Sequence, residues 1–216
     1  MPRHCRTLLT LAFAALAAGA GPASEPSPPA DRRYAAVDVQ EAPQFRRHVL
    51  PLLGRLGCNG RSYHGSFQGQ GGFRLSLFGY DYAADHQALV GGKRPRADLK
   101  NPADSPVLYK PTHADEHGGG ELIKAGSWSY HLVRRWIESG AKGLAEREAE
   151  LVKVEITPPE ILFARDGERV PLRVVARWSD GTSEDVTPLC RYQTNDESVA
   201  AIVASPFRVT GPVTAA

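Results

Sequence analysis

The stretch that most restricts the fold of this chain reads Leu56-Gly57-Cys58-Asn59-Gly60-Arg61-Ser62-Tyr63-His64-Gly65. It continues to Gly72 with a further run rich in Gly, Ser and Gln. Glycine and small polar residues at this density predict a loop, not a helix or a strand. A long loop inside a compact domain is uncommon and usually carries function. The single Cys and single His of this loop are therefore its candidate functional residues.

Apolar residues at helical spacing flank this loop on both sides. Residues 44–56 have such a stripe, with Pro51 as a defect. A second stripe runs between Ser127, a predicted helix start, and Gly140, a predicted stop. Short helices joined by glycine-rich loops predict a mainly-α, loop-rich domain at residues 42–143, whose core a cofactor completes.

The pattern then changes from helical spacing to alternation. Residues 170–178 alternate apolar and polar side chains, and Asp180-Gly181 is a hairpin turn signal. Further short strands are predicted at Val186, at residues 189–194 and at residues 199–203. This arrangement predicts an all-β sandwich over residues 152–216.

The start of the chain has the features of an export signal. A basic segment, Arg3 to Arg6, precedes an apolar run from Leu8 to Ala20 that ends in small residues. The run is shorter than the roughly 20 apolar residues of a membrane-spanning helix, so the alternative of a membrane anchor is disfavoured. We predict a signal peptide at residues 1–20, export to the periplasm or cell surface, and no transmembrane segment after its removal. The Pro-, Ala- and Ser-rich residues 21–41 predict a flexible linker.

Charge and cysteine content narrow the function further. The formal net charge is +2, with acidic and basic residues interspersed. That balance argues against nucleic-acid binding, which needs a concentrated basic patch. Cys5 belongs to the signal, while Cys58 and Cys190 lie about 130 residues apart in separate predicted domains and make a poor disulfide pair. Cys58 therefore needs another explanation.

Covalent haem attachment offers one. It requires thiols that add to the porphyrin vinyl groups and an adjacent imidazole that ligates the iron. The usual pattern is two cysteines with a His directly after the second. Here Cys58 and His64 are six positions apart, and Tyr63 stands where a second cysteine would be.

Other segments accompany this loop, and together they resemble a known family. Residues 71–81 read GGFRLSLFGYD, residues 105–111 read SPVLYKP, residues 117–120 read HGGG and residues 136–141 read WIESGA. With the Leu-Gly-Cys-Asn start, they resemble the cytochrome-c-like domain of exported planctomycete proteins from about residue 45 to residue 143. That family has a second cysteine directly before its His, where this chain has Tyr63.

The resemblance implies a bound haem c and a role in electron transfer with a redox partner protein. It implies His64 as the proximal iron ligand and Cys58 as the one remaining thioether. Related domains place a Met ligand before the last helix, but Met1 is the only Met here. We therefore expect His117 as the distal ligand, with His113 as the second choice. The sequence does not indicate a substrate pocket, so an electron carrier or binding module is favoured over an enzyme.

Because Tyr63 stands in place of the second cysteine, several interpretations of the site are open. Haem could be held by one thioether, held without a covalent bond, or absent. The last reading makes the chain a haem-free exported interaction or structural protein whose haem motif has degenerated. A zinc site of Cys58, His64, His113 and His117 has suitable ligand types but matches no compact zinc spacing. An esterase is disfavoured because the Gly-x-Ser-x-Gly elbow is missing.

Residues 152–213 resemble the bacterial Ig-like group 2 domain. The segments that carry the likeness read ITP at 156–158, LRVVARWSDGT at 172–182, DVT at 185–187 and DESVA at 196–200. The resemblance implies a spacer or adhesion module in contact with the cell surface or extracellular partners. The family ends in a further strand that residues 206–216 are too short to supply. We therefore expect a sandwich that is incomplete at its last strand, and a chain that is part of a longer family protein.

Overall fold

The structure is a computed structural model that describes residues 25–204 and 207–211. The signal peptide predicted for residues 1–20 lies outside this range. Within it, helical segments occupy the first part of the chain and strands occupy the second. No helix among the described residues has the length and apolar character that crossing a membrane requires.

Most of the elements are short. The α-helices are α1 (Ala30–Arg33), α2 (Leu50–Arg55), α3 (Tyr82–Val90), α4 (Pro106–Tyr109) and α5 (Trp128–Glu138), and a π-helical turn, Phe45–Val49, leads directly into α2. Single 3-10 turns lie at Leu77–Gly79, Pro102–Asp104, Lys110–Thr112, Ala114–Glu116 and Thr187–Leu189. The strands are β1 (Leu151–Thr157), β2 (Arg169–Pro171), β3 (Arg173–Trp178), β4 (Ser183–Asp185), β5 (Ala201–Ala204) and β6 (Phe207–Thr210).

Helix α5 begins and ends where the sequence predicts. The Ser127 hydroxyl accepts the Tyr130 N–H and caps the first turn, and Gly140 follows the helix with φ +98°. The apolar stripe of α5 is buried at Leu132, Val133, Trp136 and Ile137.

The core of the helical part forms around Trp136. Its indole is fully buried and stacks on Phe45, with 5.7 Å between ring centroids. Its Nε1–H donates to the Lys142 carbonyl at 2.9 Å, so the one polar atom of the ring is satisfied. This packing fixes α5 against the π-helical turn and α2, which leads into the glycine-rich loop.

The strands form two antiparallel three-stranded sheets, in the orders β1-β3-β4 and β2-β6-β5. The predicted hairpin at Asp180-Gly181 joins β3 to β4, and Gly181 has φ +81°. The residues predicted as one strand, 170–178, are divided at Leu172 between β2 and β3, which belong to different sheets.

The segment predicted as a flexible linker is packed over residues 25–41. Ser27 bridges to β4: its N–H donates to the Ser183 carbonyl at 2.8 Å, and its own carbonyl accepts the Asp185 N–H. Tyr34 is fully buried. This segment covers the outer edge of β4, which explains why all three residues of that short strand are buried.

A buried ionic cluster joins the helical part to the strands. Glu184 Oε1 accepts from Arg33 Nη1 at 2.8 Å and lies 2.9 Å from His48 Nε2. His48 Nδ1 accepts the Gln44 N–H, so Nε2 carries the proton and donates to Glu184. Glu184 is only 4% exposed, so these partners replace the water that would surround an exposed carboxylate.

The predicted fold class, a mainly-α domain followed by an all-β Ig-like sandwich, is wrong. About 30% of the described residues lie in α-, π- or 3-10 helical segments and 15% lie in strands, and the α-helices are short and the two sheets small. Residues 187–189 form a 3-10 turn around Pro188, and no strand forms at residues 190–194, where one was predicted. The strand predicted at residues 199–203 is present as β5.

Replacing Glu184 with Gln tests the ionic cluster. The variant removes the buried carboxylate and leaves Arg33 paired with the half-exposed Glu41 at 2.9 Å, and we expect a loss of about 2 kcal/mol in the free energy of unfolding. Urea denaturation measures it, with exposed Glu197→Gln as the control. Equal stability of the two variants would contradict the role given to Glu184.

Candidate functional site

The loop that follows α2 is a compact series of turns that holds His64 by its backbone. The His64 N–H donates to the Cys58 carbonyl at 3.1 Å, and the His64 carbonyl accepts the Leu75 N–H at 2.9 Å. A Cβ atom at Gly65 would lie 2.0 Å from the Asn59 carbonyl oxygen, so glycine alone fits there. The glycine content of the motif therefore has a steric cause.

A hydrogen bond to the Phe73 carbonyl orients the His64 ring. Nδ1 lies 3.0 Å from the Phe73 carbonyl oxygen, which can only accept, so Nδ1 carries the proton and Nε2 has the lone pair in the neutral ring. Burial lowers the pKa of His64, the nearby His117 lowers it further, and hydrogen bonding to the backbone of Phe73 and Gln70 opposes both. The ring is thus held neutral in the tautomer that metal-ligating histidines use.

His64 lines a cavity of about 330 Å³, which is at the small end of the usual range for ligand pockets. The apolar part of the wall comes from Leu53, Phe73, Leu75, Leu89, Pro106, Val107 and Pro111. The polar part comes from Cys58, Tyr63, His64, Gln70, Arg96, Lys110, Glu116 and His117. Apolar and polar side chains therefore contribute to the wall in nearly equal number.

Cys58 contributes to the same wall. It is a free cysteine, 8% exposed, and burial raises the pKa of its thiol to about 11. The group is consequently a neutral thiol at physiological pH, which keeps its reactivity low until a partner enters the cavity.

His117 also reaches the cavity, but both of its ring nitrogens are engaged. Nδ1 donates to the Gly120 carbonyl at 2.9 Å, so Nε2 accepts from the Tyr63 hydroxyl at 2.8 Å. The Tyr63 ring lies 4.3 Å from the His64 ring and 5.4 Å from the His117 ring, measured between centroids. Tyr63 therefore separates the two imidazoles.

A porphyrin fits this wall at His64 but not at His117. An imidazole bonds a metal at about 2 Å through a free lone pair, and His64 Nε2 has one. His117 Nε2 would first have to give up its hydrogen bond with Tyr63. The small volume means that a porphyrin would extend out of the cavity. The residues as placed support one axial imidazole, with the Cys58 thiol on the same wall.

The second-choice ligand, His113, does not reach the cavity. It is exposed, stacks on Tyr109 and hydrogen-bonds to the Tyr109 carbonyl at 2.8 Å. The alternative zinc site therefore does not assemble, and no group of three or more metal-ligating side chains is found in the described part of the chain. The porphyrin supplies four of the ligands of haem iron, so the iron needs only one or two from the protein. The absence of a three-residue group within residues 25–204 and 207–211 therefore argues against a zinc site and does not bear on haem.

Sequence reasoning missed two kinds of group at this site. The first is the Phe73 carbonyl, because the GGFRLSL segment gives no sign that its backbone accepts a hydrogen bond from His64. The second is the pair of cations in the wall, Arg96 and Lys110; the Arg96 guanidinium lies over the Phe73 ring, with Cζ 5.1 Å from the centroid. These groups lie outside the Cys58–His64 loop in sequence, so no local pattern marked them.

Comparison with protein-family models, characterised proteins and solved structures finds no match to this chain. The two family resemblances therefore remain predictions, and a proposal for the function rests on the geometry of the site.

Alkaline pH should reveal the buried Cys58 thiol in the haem-free protein. Its folded pKa of about 11 exceeds the ordinary value of 9.0, so the folded state holds this proton more tightly than the unfolded state. The contribution of the protonated Cys58 thiol to the free energy of unfolding is complete below pH 9 and is lost as pH rises through 11. Two pKa units correspond to about 3 kcal/mol.

We expect the free energy of unfolding to fall between pH 9 and 11, and to fall about 3 kcal/mol less in Cys58→Ala. Urea titrations at several pH values measure the slope. Ser62→Ala, an exposed change in the same loop, is the control. The contribution of Tyr34, whose pKa burial also raises, is common to all variants. Identical slopes for Cys58→Ala and wild type would show that the thiol is not buried as described.

Proposed function

We propose that this chain is an exported haem-binding protein, a cytochrome-c-like electron-transfer module in which His64 is the single axial imidazole. The observation that carries the proposal is the hydrogen bond from His64 Nδ1 to the Phe73 carbonyl, 3.0 Å long. It fixes the tautomer, fixes the ring and leaves Nε2 for iron. A loop histidine with only a structural role does not need a cavity beside it, and His64 has one.

The other wall residues have separate tasks in this proposal. The apolar side chains would exclude water from a bound haem, and Cys58 would offer a thiol for a thioether. Arg96 and Lys110 would supply positive charge for its carboxylate groups. When bound, haem supplies reversible one-electron oxidation and reduction of its iron. His117 holds Tyr63 in place and is not assigned as an iron ligand.

Localisation and partners are inferred from the sequence and belong to the same proposal. The basic start and the apolar run from Leu8 to Ala20 support export to the periplasm or cell surface. An electron carrier there needs a redox partner protein. The strand-rich part, residues 151–211, is proposed as a spacer that also offers surface for contacts outside the cell.

The competing function is a haem-free exported scaffold, and one observation favours it. The Tyr63–His117 hydrogen bond places a phenol between the two imidazoles and satisfies polar atoms that a metal site would leave open. In that account Tyr63 and His117 satisfy each other, and the cavity does not take up haem.

A haemin titration separates the two functions. We expect a Soret band that saturates at one haem per chain, because Nε2 of neutral His64 binds ferric iron. His64→Ala should lose at least tenfold in affinity, about 1.4 kcal/mol. His113→Ala, in an exposed histidine outside the cavity, should bind as wild type does. Absence of saturable binding by the wild-type protein, or equal binding by His64→Ala, would favour the haem-free scaffold.

A further inference from the structure

Strand β1 presents an open edge. It pairs with β3 on one side, and none of the described residues hydrogen-bonds to the backbone of its other side. Four of its seven side chains are apolar and roughly half exposed or more: Leu151, Val152, Val154 and Ile156. An unpaired edge with apolar side chains is a template for another strand.

The exposed apolar side chains belong to the core face of the sheet. Val154 pairs with Ala176 and Ile156 pairs with Val174, and paired residues point to the same face. Ala176 and Val174 are buried, whereas Val154 and Ile156 are 51% and 47% exposed. On the core face, the side chains of β3 are therefore buried by the rest of the fold, whereas those of β1 are exposed to solvent.

The sequence of β1 is complementary to itself in one antiparallel register. With a two-fold axis through Val154, Val154 faces its own copy on the core face. The regular part of β1 begins at Lys153, because a register shift between Leu151 and Lys153 leaves Val152 without a partner on β3, so Val152 is not counted in this match. On the opposite face, Lys153 lies across from Glu155 of the second copy, twice. Opposite charges directly across a strand pair are stabilising, and like charges are destabilising.

Neighbouring registers lack this match. An axis through Lys153 places two ammonium groups across from each other, and an axis through Glu155 does the same for two carboxylates. The charges thus select the register centred on Val154, in which the two Val154 side chains also meet.

We propose that β1 docks antiparallel against β1 of a second copy of this chain and joins the two β1-β3-β4 sheets into one six-stranded sheet. The contact is isologous, so it closes as a dimer and does not propagate. It uses main-chain hydrogen bonds for affinity and the Lys153–Glu155 pairs for register, as in other strand-addition interfaces. This proposal is independent of haem binding.

Charge exchange tests the register. In a K153E homodimer the facing positions 153 and 155 are all acidic, and in an E155K homodimer they are all basic. Both variants should be monomeric, whereas wild type should have twice the mass of one chain. In an equimolar mixture of K153E and E155K, one chain is acidic and the other basic at both positions, so the mixture should regain the dimer.

Light scattering after size exclusion, at matched high protein concentration, measures these masses. Lys93→Glu makes the same charge change at an exposed loop residue and should leave the dimer intact. Thermal melts establish that each variant is folded, which matters because Glu155 also pairs with Arg177 and Lys153 of its own chain. A monomeric wild type overturns the proposal. So do single variants that still dimerise, or a mixture of folded variants that stays monomeric.

Discussion

His64 donates from Nδ1 to the carbonyl of Phe73, nine positions along a glycine-rich loop, and the site is arranged around this hydrogen bond. The backbone packs closely at both Gly65 and Gly69, on either side of this hydrogen bond. A Cβ atom at Gly65 or at Gly69 would lie within 2.2 Å of a carbonyl oxygen, in the second case that of Phe73 itself. The glycines are therefore spatial requirements of the contact. They bring the backbone close enough for a carbonyl to hold the imidazole.

The helical part that carries this loop is tied to the strands by charge. Glu184 on β4 accepts hydrogen bonds from Arg33 and His48. Arg47 forms an ion pair, 2.8 Å long, with Asp180 in the hairpin that follows β3. The buried and exposed contacts together place the residues before α2 against the edge of one sheet. Since α2 leads directly into the His64 loop, the position of the site depends on packing that begins well before it in the chain.

Local signals in the sequence predicted local structure well. A hydroxyl cap, an apolar stripe and a glycine stop were enough to place α5, and Asp180-Gly181 was enough to place the β3–β4 hairpin. Fold class failed because apolar spacing does not determine how long a helix or strand continues between prolines. The packing of residues 25–41 was not predictable from composition, since Tyr34 and Arg33 are held by partners distant in sequence. For the same reason His117 could be assigned to the loop facing His64, but its hydrogen bond to Tyr63, 54 residues away, could not be foreseen.

The coordination state of the ferric haem-loaded protein is the most direct test of this account, because Tyr63 separates the two imidazoles and His64 alone has a free nitrogen. Electron paramagnetic resonance distinguishes the possibilities without reference to any activity. One axial imidazole gives high-spin ferric iron, which is the result expected here. A low-spin spectrum with two imidazole ligands would contradict it, since His117 would then have left Tyr63 to bind the metal.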